Sequence, residues 1–300
     1  MLAIGFLLAI LLAIREGKRR GLSPDEISNV SFWILVSSIL GSRLFHCVVF
    51  WRDFIHEPWR ILFVWEGGLV FYGGFIAAVI TSIVFCRIKK IPFFELADII
   101  APGIALGLGF GRLGCLLVGC CYGKTCPPDY PLAITFPPET VGMANVPLYP
   151  TQIFESVGCF IIFLILWQAV LRYRKFSGQV LALLLVLYGL LRTVLEFWRD
   201  DPRGFVSLLH FSAQPHLTPE KAVGIMAQLL RLDAVAESST AGIYIFRLSE
   251  SQVISLLMLP VALGIWLAMR KTPPLPFVPP EKKEIREVKK KKQSGRKKSK

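Results

Sequence analysis

The 300 residues are 54% hydrophobic, with a mean hydropathy of +0.56, which is too apolar for a soluble globule of this length and points to a polytopic membrane protein. The formal net charge of +13 gathers at the carboxyl end, where residues 270–300 hold 13 Lys and Arg against 3 Glu; a basic tail after a hydrophobic helix reads as a topology determinant and a surface for anionic lipids, not as a nucleic-acid-binding domain. Seven cysteines, an odd number without a CxxC pair, indicate neither a zinc site nor a thioredoxin-type motif, and the sequence calls for no metal and no cofactor.

Residues 1–14 are apolar and are followed by Arg15, Lys18, Arg19 and Arg20. Charges after the apolar run, not before it, predict a first membrane helix with its amino end outside. At 14 residues it is shorter than the ~20 needed to span, so either the start codon is placed too late or the bilayer thins around this helix. Ser23, Pro24 and Asp25 form a polar cap before a second span at about residues 32–51, which carries Arg43 and His46 within one turn. The Trp-rich, mixed-charge stretch 52–66 has the composition of an interfacial or re-entrant segment. A third span, about 67–86, opens with EGGLVFYGG and is followed by Arg87, Lys89 and Lys90.

The fourth span holds APGIALGLGFGRLGCLLVGCCYG, residues 101–123, with Arg112 inside an apolar run. A centred Arg costs about 3 kcal/mol on insertion scales, so such residues face a bundle interior or a wet cavity and carry function. Gly103, Gly107, Gly111 and Gly114 recur at helical spacing and leave one face without side chains, which suits either a packed helix or an anionic ligand. A proline-dense external loop follows at about residues 122–149, too polar for hydrocarbon and too rich in proline for helix. Of the cysteines, Cys120, Cys121 and Cys126 sit where an oxidising compartment could link them, while Cys47, Cys86 and Cys159 read as small apolar core residues.

A fifth span, about 151–171, follows YPTQIFES and ends at Arg172, Arg174 and Lys175. The sixth, about 180–197, ends in LLRTVLEFWRDD, where Arg192, Glu196 and Arg199 share one helical face and can form an internal salt bridge at the membrane boundary. In the second external segment, about 200–250, Thr218, Pro219 and Glu220 cap an amphipathic pattern of Ala222, Ile225, Met226, Leu229 and Leu230, predicting a helix lying on the outer membrane face. A seventh span, about 252–269, leads to the tail. Basic clusters follow spans one, three, five and seven, as the positive-inside rule requires of seven helices with an outside amino end. The prediction is an all-α polytopic membrane protein with its carboxyl end in the cytoplasm. One membrane domain covers residues 1–270, and residues 271–300 form a Pro- and Lys-rich cytoplasmic tail expected to be disordered.

GGLVFYGGF, FFELADIIAPGIALGLGFGRLGCLLVGCCYGK, YPTQIFE, LLRTVLEFWRDD and SQVISLLMLP, in this order and at these topological positions, resemble the bacterial prolipoprotein diacylglyceryl transferases over about residues 5–269. The resemblance implies a seven-helix enzyme of the bacterial cytoplasmic (inner) membrane that moves the diacylglyceryl group of phosphatidylglycerol onto the lipobox cysteine thiol of prolipoprotein signal peptides. It implies that Arg112 is the essential arginine of the family's GRxGN signature, with Gly111, Gly114 and Gly123 as its glycines. Arg192, with Glu196 and Arg199, matches the arginine-bearing sixth helix, and Arg43 an arginine of the second. Gly73 and Gly74 match the HGG element, and Pro150, Gln152 and Glu155 the HPSQLYE element. The chain departs from the pattern at Tyr72 and Tyr149, where the family has histidines, at Cys115 for the signature asparagine, and at Cys120 for a signature glutamate.

The implied reaction is attack by a thiol on the glyceryl carbon that bears phosphate. Guanidinium suits it, because Arg pairs bidentately with phosphate, stays charged when buried and stabilises charge on the leaving oxygen. The thiol must also lose its proton. A phenol, with a reference pKa near 10, is a poor base at neutral pH, so Tyr72 is the candidate in the position where the family carries its base. Two other readings remain open: a thiol cluster of Cys115, Cys120 and Cys121 near Arg112 in a repurposed enzyme, and a non-catalytic phospholipid-binding protein that keeps Arg112 and Arg192 as lipid anchors.

Overall fold

The computed structural model describes residues 1–55, 57–139, 145–199, 205–213, 232–235 and 242–276. Apolar runs of bilayer length become helices because hydrocarbon offers no partner to backbone N–H and C=O groups, which must be satisfied within the segment. The described residues form long helices α1 (Leu2–Arg19), α2 (Pro24–Val49), α3 (Phe71–Lys89), α4 (Phe93–Val118), α5 (Thr151–Tyr173), α6 (Gln179–Trp198) and α7 (Glu250–Met269). Six of them, α2 to α7, are long and apolar enough to cross a membrane. The 18-residue α1 ends in Arg15, Glu16, Lys18 and Arg19, so its apolar part falls short of a span. The outer faces of α2 and α3 expose Leu40, Leu44, Val48, Phe75, Ile76 and Ile80, as expected of surfaces solvated by lipid.

Small residues set the helix contacts. The α1 helix packs along α4 over the glycine face: a Cβ at Gly103 would lie 3.2 Å from that of Ala9, one at Gly111 3.6 Å from Leu2, and one at Gly114 3.7 Å from Met1. Packing against a helix is therefore what this face does. The α2 and α3 helices meet at Gly41 and Gly73, where a Cβ on Gly73 would collide with the Gly41 carbonyl and one on Gly74 with the Ser42 hydroxyl.

The ends carrying the basic clusters come together. Arg174, after α5, is buried with the carboxylates of Glu95 and Asp98 from the first turns of α4. Asp98 also accepts the backbone N–H groups of Gly178 at 2.8 Å and Leu181 at 3.0 Å, capping the start of α6. Glu95 accepts the Ser177 hydroxyl and the Leu275 N–H, and Arg20 donates to the Leu171 carbonyl at 2.6 Å. One buried polar knot thus fastens α1, α4, α5, α6 and the segment after α7 at a single end. Breaking such a pair on one side costs about 3–5 kcal/mol.

At the other end the all-α expectation needs correcting. Strands β1 (Phe205–Ala213), β2 (Leu232–Val235) and β3 (Gly242–Ser249) form an antiparallel sheet in the order β1-β3-β2, with Phe205 opposite Ser249 and Leu232 opposite Phe246. FVSLLHFSA and GIYIFRLS are rich in aromatic and β-branched residues, which fit a pleated surface, and such short apolar runs without strict alternation give no periodic signal of either kind. The amphipathic pattern from Ala222 to Leu230 lies outside the described residues. The loop before α5 folds back on itself through single bridges, Thr125 with Leu148 and Ile134 with Leu148.

Candidate active site

Three helices converge on one carboxylate. Glu155 lies in the second turn of α5 with its side chain 1% exposed. Its Oε2 receives Arg112 Nε from α4 at 3.0 Å, Arg192 Nη1 from α6 at 3.3 Å and Arg199 Nη1 from just past α6 at 3.5 Å, while Oε1 accepts the Tyr188 hydroxyl at 3.2 Å. Glu196 adds a second carboxylate, 3.8 Å from Arg192 Nη2. A buried carboxylate and a buried guanidinium are each expensive alone, and the pairing makes both tolerable. Tyr188 is a member of this cluster that sequence reasoning missed. It stands one turn before Arg192 on α6, and that spacing of four was the available signal.

The geometry leaves a specific opening for an anion. Arg112 approaches Glu155 most closely through Nε, among the described residues no hydrogen bond engages its two terminal nitrogens, and at 17% its side chain is the most exposed of the three arginines. A planar guanidinium held by one edge and open at the other is arranged to take two oxygens of a phosphate.

The other candidate residues fall into separate groups. Gln152 is buried one turn before Glu155; its Nε2 donates to the Cys120 carbonyl at 2.9 Å, and its Oε1 is buried without a hydrogen-bond partner among the described residues. Gly123 pairs with Arg199 in a single bridge, and a Cβ there would lie 2.5 Å from the Trp198 carbonyl, so only glycine lets the loop approach the end of α6. Gly111 and Gly114 face α1, and Gly73 and Gly74 face α2. Arg43 is buried, and its guanidinium is engaged with backbone: Nε with the Ile61 carbonyl at 3.1 Å, Nη1 with Gly67 at 2.7 Å, and Nη2 with Arg60, while Phe54 lies against it at 5.5 Å. It holds the Trp-rich segment, which winds into short helical turns at Trp51–Phe54, Pro58–Leu62 and Val64–Glu66. Tyr72 opens α3, 45% exposed with its ring beside Phe71, and makes no hydrogen bond to Arg112, Arg192 or Arg199 among the described residues.

Next to Arg112 the chain makes a turn that spacing did not reveal. The α4 helix ends at Gly119 with φ 76°, and Cys121 is itself left-handed with φ 61°. A non-glycine residue in that region is uncommon and marks a conformation imposed by its surroundings. Here the Cys120 carbonyl is held by Gln152 and the Cys121 carbonyl by the Thr151 hydroxyl at 3.1 Å. The turn folds the Cys120 and Cys121 thiols back onto Cys115, and the three sulfurs lie within 4.8 Å of one another. Burial, with neighbouring Cys121 adding to it, pushes the Cys120 thiol above its ordinary range.

Comparison with known proteins bears on this geometry. A family profile described as prolipoprotein diacylglyceryl transferase matches residues 1–269. The phosphatidylglycerol–prolipoprotein diacylglyceryl transferase of Clostridium tetani is 37% identical over 213 residues, covering 71% of this chain and 84% of that protein. The Clostridium perfringens protein named phosphatidylglycerol–prolipoprotein diacylglyceryl transferase 2 is 37% identical over 214 residues, 71% of this chain and 82% of its own. A Bordetella parapertussis transferase of the same name is 33% identical over 253 residues, 82% of this chain and 88% of its own.

Proposed function

Because this chain belongs to the prolipoprotein diacylglyceryl transferase family, we propose that it transfers the diacylglyceryl group of phosphatidylglycerol to the lipobox cysteine thiol of prolipoprotein signal peptides. The observation that carries this reading is Arg112, fixed by one edge on Glu155 and open at the other beside Arg192. The peptide thiol gives its proton to water, the thiolate attacks the glyceryl carbon bearing phosphate, the carbon–oxygen bond breaks, and its electron pair leaves on the phosphate oxygen of glycerol phosphate. Arg112 and Arg192 stabilise the charge that grows there, inside a site of low dielectric where a fixed guanidinium acts most strongly. Tyr72 enters as a hydrogen-bond donor and not as a base.

The test is direct. Purified protein with phosphatidylglycerol and a short lipobox peptide is expected to add one diacylglyceryl mass to the cysteine peptide and none to its serine counterpart, because a thiolate is far the better nucleophile. Tyr72→Phe is expected to slow the transfer several-fold, and a wild-type rate removes Tyr72 from the site. Binding of labelled phosphatidylglycerol without any mass gain overturns the enzymatic reading in favour of lipid binding alone.

In this reading the protein is a single membrane domain in the bacterial inner membrane. Its seven helices place the amino end and the sheet outside, and the basic tail lies in the cytoplasm against anionic lipid. The polar knot that joins the ends of α1, α5 and α7 to the start of α4, just after the basic end of α3, supports that arrangement, since the four basic clusters then share one end of the helices. Reporter fusions after Lys175 and after Lys300 are both expected to read as cytoplasmic; an external signal from either is incompatible with this topology.

A further inference from the structure

The thiol turn beside Arg112 is a built site of its own. Cys115 comes from the last turn of α4, Cys120 and Cys121 from the turn after it, and their sulfurs lie within 4.8 Å of one another. Three sulfurs about a zinc ion at 2.3 Å each stand about 3.8 Å apart in a tetrahedron, so closing the cluster requires movements of about 1 Å or less. Its support is in place before any ion arrives: Gln152 and Thr151 grip two consecutive carbonyls and hold Cys121 in its left-handed conformation. Outer partners of this kind fix ligand orientation in metal sites. The buried Gln152 side chain, anchored to Cys120 through Nε2, also carries an oxygen with no partner among the described residues. All three cysteines are partly exposed, which a closed structural site would not be.

We propose that Cys115, Cys120 and Cys121 bind one thiophilic divalent cation of the zinc class, with the fourth position open to the sulfur of the incoming peptide. Charge supports the arrangement. Three thiolates and a divalent ion leave a net −1, and Arg112, which interacts electrostatically with Cys115 and Cys121, offsets it. The role of the open position rests on the transferase reading, whereas the metal site does not. A thiol that joins the cation there releases its proton to water, since a coordinated thiol is deprotonated outright. The resulting thiolate attacks the glyceryl carbon, the carbon–oxygen bond opens onto the phosphate oxygen facing Arg112 and Arg192, and the thioether formed is neutral and leaves the cation. No oxidant or reductant is involved. The step supplies the deprotonation for which the phenol of Tyr72 is poorly suited.

Detergent-purified full-length protein, reduced and stripped with a chelator, is titrated with cobalt(II), whose thiolate complexes absorb in the near ultraviolet and whose tetrahedral sites absorb in the visible. The expected result is one cobalt per chain with both bands, displaced by zinc. The bands are lost in Cys115→Ser, Cys120→Ser and Cys121→Ser and retained in Cys47→Ala. Adding the cysteine lipobox peptide shifts the visible bands, and the serine peptide leaves them alone. Stripped protein is expected to transfer at least ~10-fold more slowly, with zinc restoring the rate. Wild-type protein without a thiolate band, or bands that survive all three serine substitutions, overturns the site. Full transfer by stripped protein overturns the activating role and leaves the transferase reading standing. If neither stripped nor zinc-loaded protein transfers, it is the transferase reading that fails, and the cobalt bands alone decide the site.

Discussion

Transfer is expected to fall by about 10²–10³-fold in Arg112→Ala and in Arg192→Ala, the range measured when one preorganised donor to a developing negative charge is removed. Both variants are expected to insert and fold. Glu155 keeps two guanidiniums when either one is lost, so no buried carboxylate is orphaned. Arg112→Lys is expected to fail as well: an ammonium cannot hold Glu155 with one edge and present a planar pair of donors with the other. Transfer to the lipobox peptide is measured beside the amount of folded protein recovered from membranes. Full activity in Arg112→Lys would show that charge alone is needed, and wild-type transfer in both alanine variants would reduce the pair to a packing role.

The second large effect is on stability. Glu155→Gln preserves the volume and the hydrogen-bonding reach toward Tyr188 but removes the carboxylate that Arg112, Arg192 and Arg199 share. Leaving buried charge without its partner costs about 3–5 kcal/mol, which for a chain of this size lowers the melting temperature by about 5–10 °C. Repulsion among the guanidiniums is then relieved by any anion that can enter, so inorganic phosphate is expected to raise the melting temperature of the variant more than that of the wild type. A variant that melts with the wild type would show that other groups neutralise the arginines. A loss of stability that phosphate leaves untouched would mean that the cluster is a structural knot closed to anions.

How far these features were legible from the amino-acid order depends on the range of the interaction behind each. Spans and the alternation of basic clusters follow from hydrophobic length and charge, which act locally, and α2 to α7 occupy the expected stretches. Arg112 was visible because a guanidinium in an apolar run needs a partner, and Glu155 was visible as part of a motif. That the two meet at 3.0 Å, with Arg192 and Arg199 on the same oxygen, depended on α4, α5 and α6 packing together. The glycine face of α4 announced a close approach, but only packing showed that α1 makes it. Arg43 looked like Arg112 in sequence, yet backbone carbonyls from a segment about twenty residues away engage it.

The cysteines show the limit most plainly. Their spacing matches no ligand pattern, because the closing of Cys120 and Cys121 onto Cys115 depends on two left-handed residues, Gly119 and Cys121, and on Thr151 and Gln152 of another helix holding the Cys121 and Cys120 carbonyls. The sheet of β1, β2 and β3 was missed for a different reason, since its short apolar runs alternate too weakly to be read as strands and pair only across a long connection. The sequence alone determined the membrane class, the helical spans and the residue types of the site, each set by near neighbours and by the energetics of transfer into lipid. Tertiary structure decided which arginines share a carboxylate, which glycines lie under helices and which thiols touch. Those contacts join residues that only the packing of separate helices brings within hydrogen-bonding distance.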